Sequence, residues 1–244
     1  MANPSEIALV SFITSFLFAL GGLGSAVALI PILVFLGIPF NLARPTGLFT
    51  NFFSTFSATV HNLKERLIDF KMAFPIVVFS IITAPIGAYA SHFVPEKIVG
   101  IAFTCFLFFA GTMVYMPKRE VFKEKNPILI SSLTGGLAGF VSGFLGVGGG
   151  GIISPLLIAF GFNPKKVAPV TAFSVLFSSF IAFITYAKLG SVDWGITLSA
   201  AVPAGVAGYL AAYVGHKFLN PKQIKRILGM LFFILGIKFL LKFL

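Results

Sequence analysis

Long apolar runs separated by short polar, mostly basic loops make up almost the whole chain. The runs are long enough to cross about 30 Å of hydrocarbon as helices, and they recur from Ile7 to Phe243. The pattern also repeats. Shifted by 124 positions, Gly22 falls on Gly146, Gly24 on Gly148, Pro31 on Pro155, Gly37 on Gly161 and Pro45 on Pro169. NFFSTFSA, from Asn51, meets VLFSSFIA, from Val175, and Lys64, Asp69, Tyr89 and His92 meet Lys188, Asp193, Tyr213 and His216. Internal self-similarity of this kind marks a duplicated unit. The expected organisation is a first repeat over 1–116, a charged cytoplasmic linker over 117–126 (PKREVFKEKN) and a second repeat over 127–244, all within one integral membrane domain.

Each repeat opens with a segment interrupted by glycine, Ile7–Gly37 and Pro127–Gly161, and continues with three plainer apolar spans. In the first repeat these spans lie near Pro45–Asn62, Phe70–Phe93 and Ile98–Met116. In the second they lie near Pro169–Ala187, Trp194–Phe218 and Ile224–Phe243. The interruptions are GGLGS, Gly21 to Ser25, and GVGGGG, Gly146 to Gly151. Glycine is a poor helix former, and unpaired backbone in hydrocarbon costs several kcal/mol per group. The breaks therefore predict hairpins of a descending half-helix, a turn and an ascending half-helix, enclosed by protein and meeting near the midplane. An ascending piece that begins at such a turn presents free N–H groups and a partial positive charge, which suits an anion.

Loop charge decides how the two repeats are oriented. The loop after the interrupted segment has Arg44 in the first copy, and Lys165 and Lys166 in the second. The next loop has Lys64, Arg66 and Lys71 against Lys188. The third has Lys97 against Lys217, Lys222, Lys225 and Arg226. The basic side alternates between copies, as it does when a hairpin returns to its starting side and the second unit is inverted. Parallel copies would split the charges almost evenly. Inversion places thirteen of the 18 Lys and Arg residues on one side, including the linker's Lys118, Arg119, Lys123 and Lys125. By the positive-inside rule both termini are then outside. The predicted fold class is an all-α polytopic membrane protein of two inverted repeats, each a glycine-broken helical hairpin plus three transmembrane helices.

Composition agrees with this reading. The chain is 57% hydrophobic and 10% charged, where soluble domains carry roughly 25% charged residues. The net charge of +11 reflects loop lysines and arginines, so no nucleic-acid partner is implied. Cys105 lies alone in an apolar run and reads as a small hydrophobe. The N-terminus lacks a cleavable-signal pattern. The acidic residues Glu6, Glu65, Asp69, Glu96, Glu120, Glu124 and Asp193 all fall in loops or at span ends. Carboxylates at membrane depth usually mark cation sites and proton relays, so the pattern argues against a cation pump or a carboxylate-based exchanger. No H-E-x-x-H, P-loop or paired intramembrane Asp supports a membrane enzyme, and no cofactor or metal site is implied.

The stretch GFLGVGGGGIISPLLIAFGFNPKKVAPVTAFSVLFSSFIAFITYAKLGSVDW resembles the signature region of the TauE/SafE sulfite-exporter family, also called TSUP. The shared features are a glycine-rich run, a proline about six residues on, a short loop, an A-x-x-T-S-like helix start and a G-x-V-D-W-like turn. Val170-Thr171-Ala172 stands where members commonly carry Thr-Ser after the alanine. The resemblance implies a transporter of small sulfur-containing anions: sulfite, thiosulfate or C2 organosulfonates such as sulfoacetate. Substrate, direction, channel versus carrier, coupling to protons or another ion, and homo-oligomer formation are left open.

The candidate substrate-binding residues are the backbone at Gly22, Gly24, Ser25, Gly148, Gly149, Gly150 and Gly151, with side chains of Thr46, Thr50, Asn51, Thr171 and Ser174 on the spans that follow. Thr50 and Ser174 are repeat mates. Arg44 reads either as an interfacial anchor that snorkels or as a group that attracts or gates the anion. His92 and His216 end equivalent spans and read as solvated. Asp69 and Asp193 read as helix N-caps. Gly135, Gly139 and Gly143, spaced by four, read as a helix-packing face.

Overall fold

In a computed structural model, described for residues 3–20, 23–115, 126–215 and 221–243, the chain is a bundle of ten helices. They are α1 (Pro4–Leu20), α2 (Ala26–Phe35), α3 (Phe40–Lys64), α4 (Phe70–His92), α5 (Glu96–Tyr115), α6 (Pro127–Leu145), α7 (Gly150–Ala159), α8 (Pro164–Lys188), α9 (Trp194–Gly215) and α10 (Pro221–Phe243). Gly22, His216 and the linker apart from Asn126 lie outside the described residues.

Local signals account for many of the boundaries. Asp69 and Asp193 both cap: Asp69 accepts from the Lys71 amide at 3.2 Å, and Asp193 from the Ile196 amide at 3.1 Å. Asn126 caps α6, with Pro127 in the first turn where no N–H is needed. The repeat extends to backbone dihedrals. Gly24 and Gly148 take φ of +84° and +67°, Gly37 and Gly161 +88° and +93°, and Arg66 matches Gly190 at 54° and 75°.

The two units pack as an inverted pair. Repeat mates α3 and α8 run antiparallel, because Arg44 meets Tyr186, Phe49 meets Phe183 and Asn51 meets Ser179. Mates α5 and α10 do the same, with Phe103 against Phe239 and the Tyr115 hydroxyl donating to the Arg226 carbonyl. Contacts also exchange between the halves: Gly135 packs on Ile76, and its mate Ser11 donates to the carbonyl of Ala200, the mate of Ile76. A rotation about the membrane normal would leave mated helices parallel.

The small-residue stripe on α6 is a packing face. Cβ atoms at Gly135, Gly139 and Gly143 would fall on the α4 backbone at Ile76, Ser80 and Ala84, so bare glycine lets these helices meet backbone to backbone.

Among the described residues, five helices, α4, α5, α6, α8 and α9, are both long and apolar enough to cross a membrane. Helix α3 has the length, but its buried face carries Arg44, Thr46, Thr50, Asn51 and Ser54, which lowers its hydropathy. The hairpins depart from the predicted pair of half-helices. Their first arms, α1 and α6, have 17 and 19 residues, about 25 and 28 Å at 1.5 Å per residue, while the returning arms α2 and α7 have 10. A glycine run marks where a helix breaks but not how deep the break lies. The tips consequently pass one another inside the bundle.

Candidate functional site

Both breaks are enclosed by protein, as backbone irregularity at this depth requires. Residues 23–25 and 146–150 are buried, and α2 is almost wholly so, with Ala26, Val27, Leu29 and Ile30 at 0% exposure. Gly146 and Gly148 make the second break left-handed. Gly150 and Gly151 do not belong to it: they form the first turn of α7. Their small size has a tertiary reason, since a Cβ on Gly150 would sit 2.5 Å from the Leu23 carbonyl oxygen of the other tip.

Asn51 bonds the first tip to α8 and packs against the second tip. Its Oδ1 accepts from the Ser25 amide at 2.8 Å, and its Nδ2 donates to Ser179 Oγ at 2.9 Å. A Cβ on Gly24 would lie 2.8 Å from Asn51 Oδ1, and one on Gly148 would collide with Asn51 Nδ2. Thus Gly24, Ser25, Asn51, Gly148 and Gly150 converge, with Val175, the repeat mate of Asn51, packed beside Gly150. Gly149 is the N-cap residue of α7 and faces Ala138 instead.

The returning helices leave donors at this point. Residues Ile152 and Ile153 donate to the Gly149 carbonyl, and Ala28 and Leu29 to that of Ser25. The preceding amides, of Gly150 and Gly151 and of Ala26 and Val27, meet no acceptor among the described residues. They are the ordinary orphan donors of a helix start, and here they are held within the bundle. The Ser25 amide, by contrast, is already engaged by Asn51.

Of the predicted hydroxyls, Thr46 pairs with Thr197 at 3.1 Å and Thr171 with Ser154 at 3.0 Å. Thr50 and Ser174 have no partner among the described residues, and both are 0% exposed. Serine and threonine in helices usually bond back to a carbonyl one turn earlier, as Thr55 does to Asn51. Two mated hydroxyls that forgo this bond, each next to a residue at the tips, are available to a third party. A small cavity beside the first tip is lined by Ala19, Gly24, Ser54, Thr55, Ala58, Ala172 and Val175, with room for about one water molecule.

Arg44 is not a snorkelling anchor, because it is 6% exposed. One guanidinium nitrogen donates to the Tyr186 hydroxyl at 3.0 Å and to the Phe144 carbonyl at 3.4 Å, and the group lies 5.0 and 5.2 Å from the Phe40 and Tyr186 ring centroids. It therefore rests at the C-terminus of α6, where the helix dipole favours a cation. The described carboxylates Glu6, Glu65, Asp69, Glu96 and Asp193 all stand at helix ends. Sequence reasoning missed Ser179 and Tyr186. Ser179 could have been found as the repeat mate of Thr55, while Tyr186 pairs with Asn62 under the offset and carries no such signal.

The family model described as "Sulfite exporter TauE/SafE" matches residues 7–239. The chain belongs to the sulfite exporter TauE/SafE family. Among its relatives, a probable membrane transporter protein of Methanocaldococcus jannaschii is 25% identical, over 96% of this chain and 94% of the relative. A probable membrane transporter protein of Haemophilus influenzae is 28% identical over 85% and 81% of the two chains. Sulfite exporter TauE/SafE family protein 2 of Arabidopsis thaliana is 40% identical over 34% of this chain and 18% of its own. No solved structure matches. As a TauE/SafE protein with helices that can cross a bilayer, the chain is an integral multi-pass membrane protein of a transporter family, not an enzyme.

Proposed function

We propose that this TauE/SafE protein is a secondary transporter of small sulfur-containing anions, such as sulfite, thiosulfate or a C2 organosulfonate like sulfoacetate, in the cell (inner) membrane. The anion binds between the two helix breaks. The α2 and α7 first-turn amides and the hydroxyls of Thr50 and Ser174 donate to its oxygens, and the inverted units move against each other to alternate access. The observation that carries this reading is a pair of mated, buried hydroxyls without a partner, one residue before the Asn51 and Val175 that pack on the tips, together with first-turn amides that meet no acceptor among the described residues. Such a donor set holds an oxyanion without burying a fixed charge. The basic loops face the cytoplasm, and both termini lie outside.

The test is uptake into proteoliposomes with sulfite, thiosulfate, sulfoacetate, sulfate and chloride. Saturable uptake of a sulfur anion with counterflow supports the reading. Single-channel current steps would mark a pore of the same fold, and no flux of any sulfur anion would remove the substrate assignment.

A further inference from the structure

The two ends of the bundle are not equivalent, although the repeat makes their backbones so. At the end where α3 begins, Arg44, Tyr186 and Ser91 tie four helices together. The Tyr186 hydroxyl donates to the Gly143 carbonyl at 2.9 Å, lies 2.9 Å from Ser91 Oγ, and accepts from Arg44 at 3.0 Å. Directly beneath, Leu48, Ala84, Ala88, Ala182 and Phe183 form a buried apolar plug with the Tyr186 ring.

Four of the repeat mates at the opposite end are smaller or differently polar. Leu48 is matched by Ala172, Phe183 by Thr59, Tyr186 by Asn62 and Arg44 by Ala168. The cavity beside the helix tips lies at that end, against Ala58 and Ala172, the mates of Ala182 and Leu48. The Leu48, Phe183 and Tyr186 side chains that fill one end thus have smaller mates at the other.

Arg44 is held weakly for a buried cation. No ion pair is recorded for it among the described residues, its contact with the Phe144 carbonyl is long at 3.4 Å, and its Nε, fully buried, has no partner. Its acceptors are neutral carbonyl and hydroxyl oxygens, whereas an anion's oxygens would add an opposite charge and a second, parallel N–H···O bond.

We infer that Arg44 and Tyr186 are the gate that closes the anion path at the end where α3 begins, and that an arriving anion opens it by taking the guanidinium from the α6 carbonyl. The gate follows from geometry alone; its opening by a sulfur anion rests on the function proposed above. The Leu48–Phe183 plug seals the path beneath the closed latch. The opposite end, lined by Ala172 and Thr59, has the thinner barrier.

The experiment uses the full-length chain in proteoliposomes, with Cys105 replaced by Ser, Ala182→Cys as sole thiol, and a membrane-impermeant maleimide on one face at a time. Ala58→Cys, the mated position, is the control. With the gate intact, Ala182→Cys labels slowly. Arg44→Gln or Tyr186→Phe raises its rate at least tenfold, from the face where α3 begins only, and leaves Ala58→Cys unchanged. Arg44→Lys, which keeps a charge below the α6 carbonyls, stays within about threefold of the intact rate. Unchanged rates in both Arg44→Gln and Tyr186→Phe overturn the gate, as does an equal rise from both faces. Arg44→Lys labelling as fast as Arg44→Gln overturns the role of charge. Sulfoacetate should speed labelling of Ala182→Cys when Arg44 is present and have no effect in Arg44→Gln. Gate variants that label quickly while the intact chain ignores sulfoacetate uphold the latch and count against the sulfonate cargo.

Discussion

Replacing Gly150 by alanine probes the meeting of the two hairpins with a single methyl group. Its Cβ would stand 2.5 Å from the Leu23 carbonyl oxygen and 2.8 Å from the carbon, where ordinary contact begins at 3.4 Å. The tips must part by roughly 0.9 Å. Overpacking of this size costs about 1–3 kcal/mol, and the better helix propensity of alanine offsets up to about 1 kcal/mol. The chain should still insert and fold. The site suffers more, because an anion held from both tips would see donors at about 2.9 Å retreat to about 3.8 Å, beyond hydrogen-bond range. One lost charge-assisted bond, about 1.5–3 kcal/mol, weakens apparent affinity by about 10- to 100-fold. The assay is concentration-dependent uptake in proteoliposomes beside thermal unfolding of the detergent-solubilised protein. Gly136→Ala is the control, since its Cβ would meet only a Thr83 methyl group at 4.0 Å; it should transport normally and be as stable or more so. Gly150→Ala with intact affinity and maximal rate, at normal expression, would refute the idea that the tips hold the anion jointly.

Other expectations follow from the same geometry. Thr50→Val and Ser174→Ala should each raise the apparent Km for the anion about 5- to 30-fold without lowering thermal stability, because neither hydroxyl has a partner to lose; uptake kinetics and unfolding temperature check both. Asn51→Asp keeps the acceptor for the Ser25 amide but adds negative charge between the tips, so binding should vanish by calorimetry while the protein still inserts. Gly143→Leu drives a side chain into the α4 backbone at Ala84 and should cost at least about 3 kcal/mol, read as loss of folded protein in detergent.

How far the sequence carries depends on whether a feature is local. The offset of 124, the caps at Asp69 and Asp193 and the α6 packing face are legible because each rests on residues adjacent in the chain or repeated across it. The depth of the breaks is not legible, since α1 and α6 extend as far as α9 and α4 accompany them. Gly150 and Gly151 look like part of a flexible run, yet they are helical, and the close approach of Leu23 explains the need for small size at Gly150. Arg44 beside Pro45 reads equally well as a surface anchor. Its burial is decided by the α6 carbonyls 100 positions away, which no local pattern reveals. Asn51 could be proposed from its span, but its role in tying the first tip to α8 depends on Ser25 and Ser179 arriving from separate elements.

The most direct test of the anion site is anomalous diffraction from crystals grown with selenite, a heavier analogue of sulfite. The account predicts a selenium peak between the tips, within hydrogen-bond distance of the Gly150 and Gly151 amides and of Thr50 or Ser174, and its loss in Asn51→Asp. A peak found only at the bundle ends, or one between the tips that survives Asn51→Asp unchanged, would contradict it.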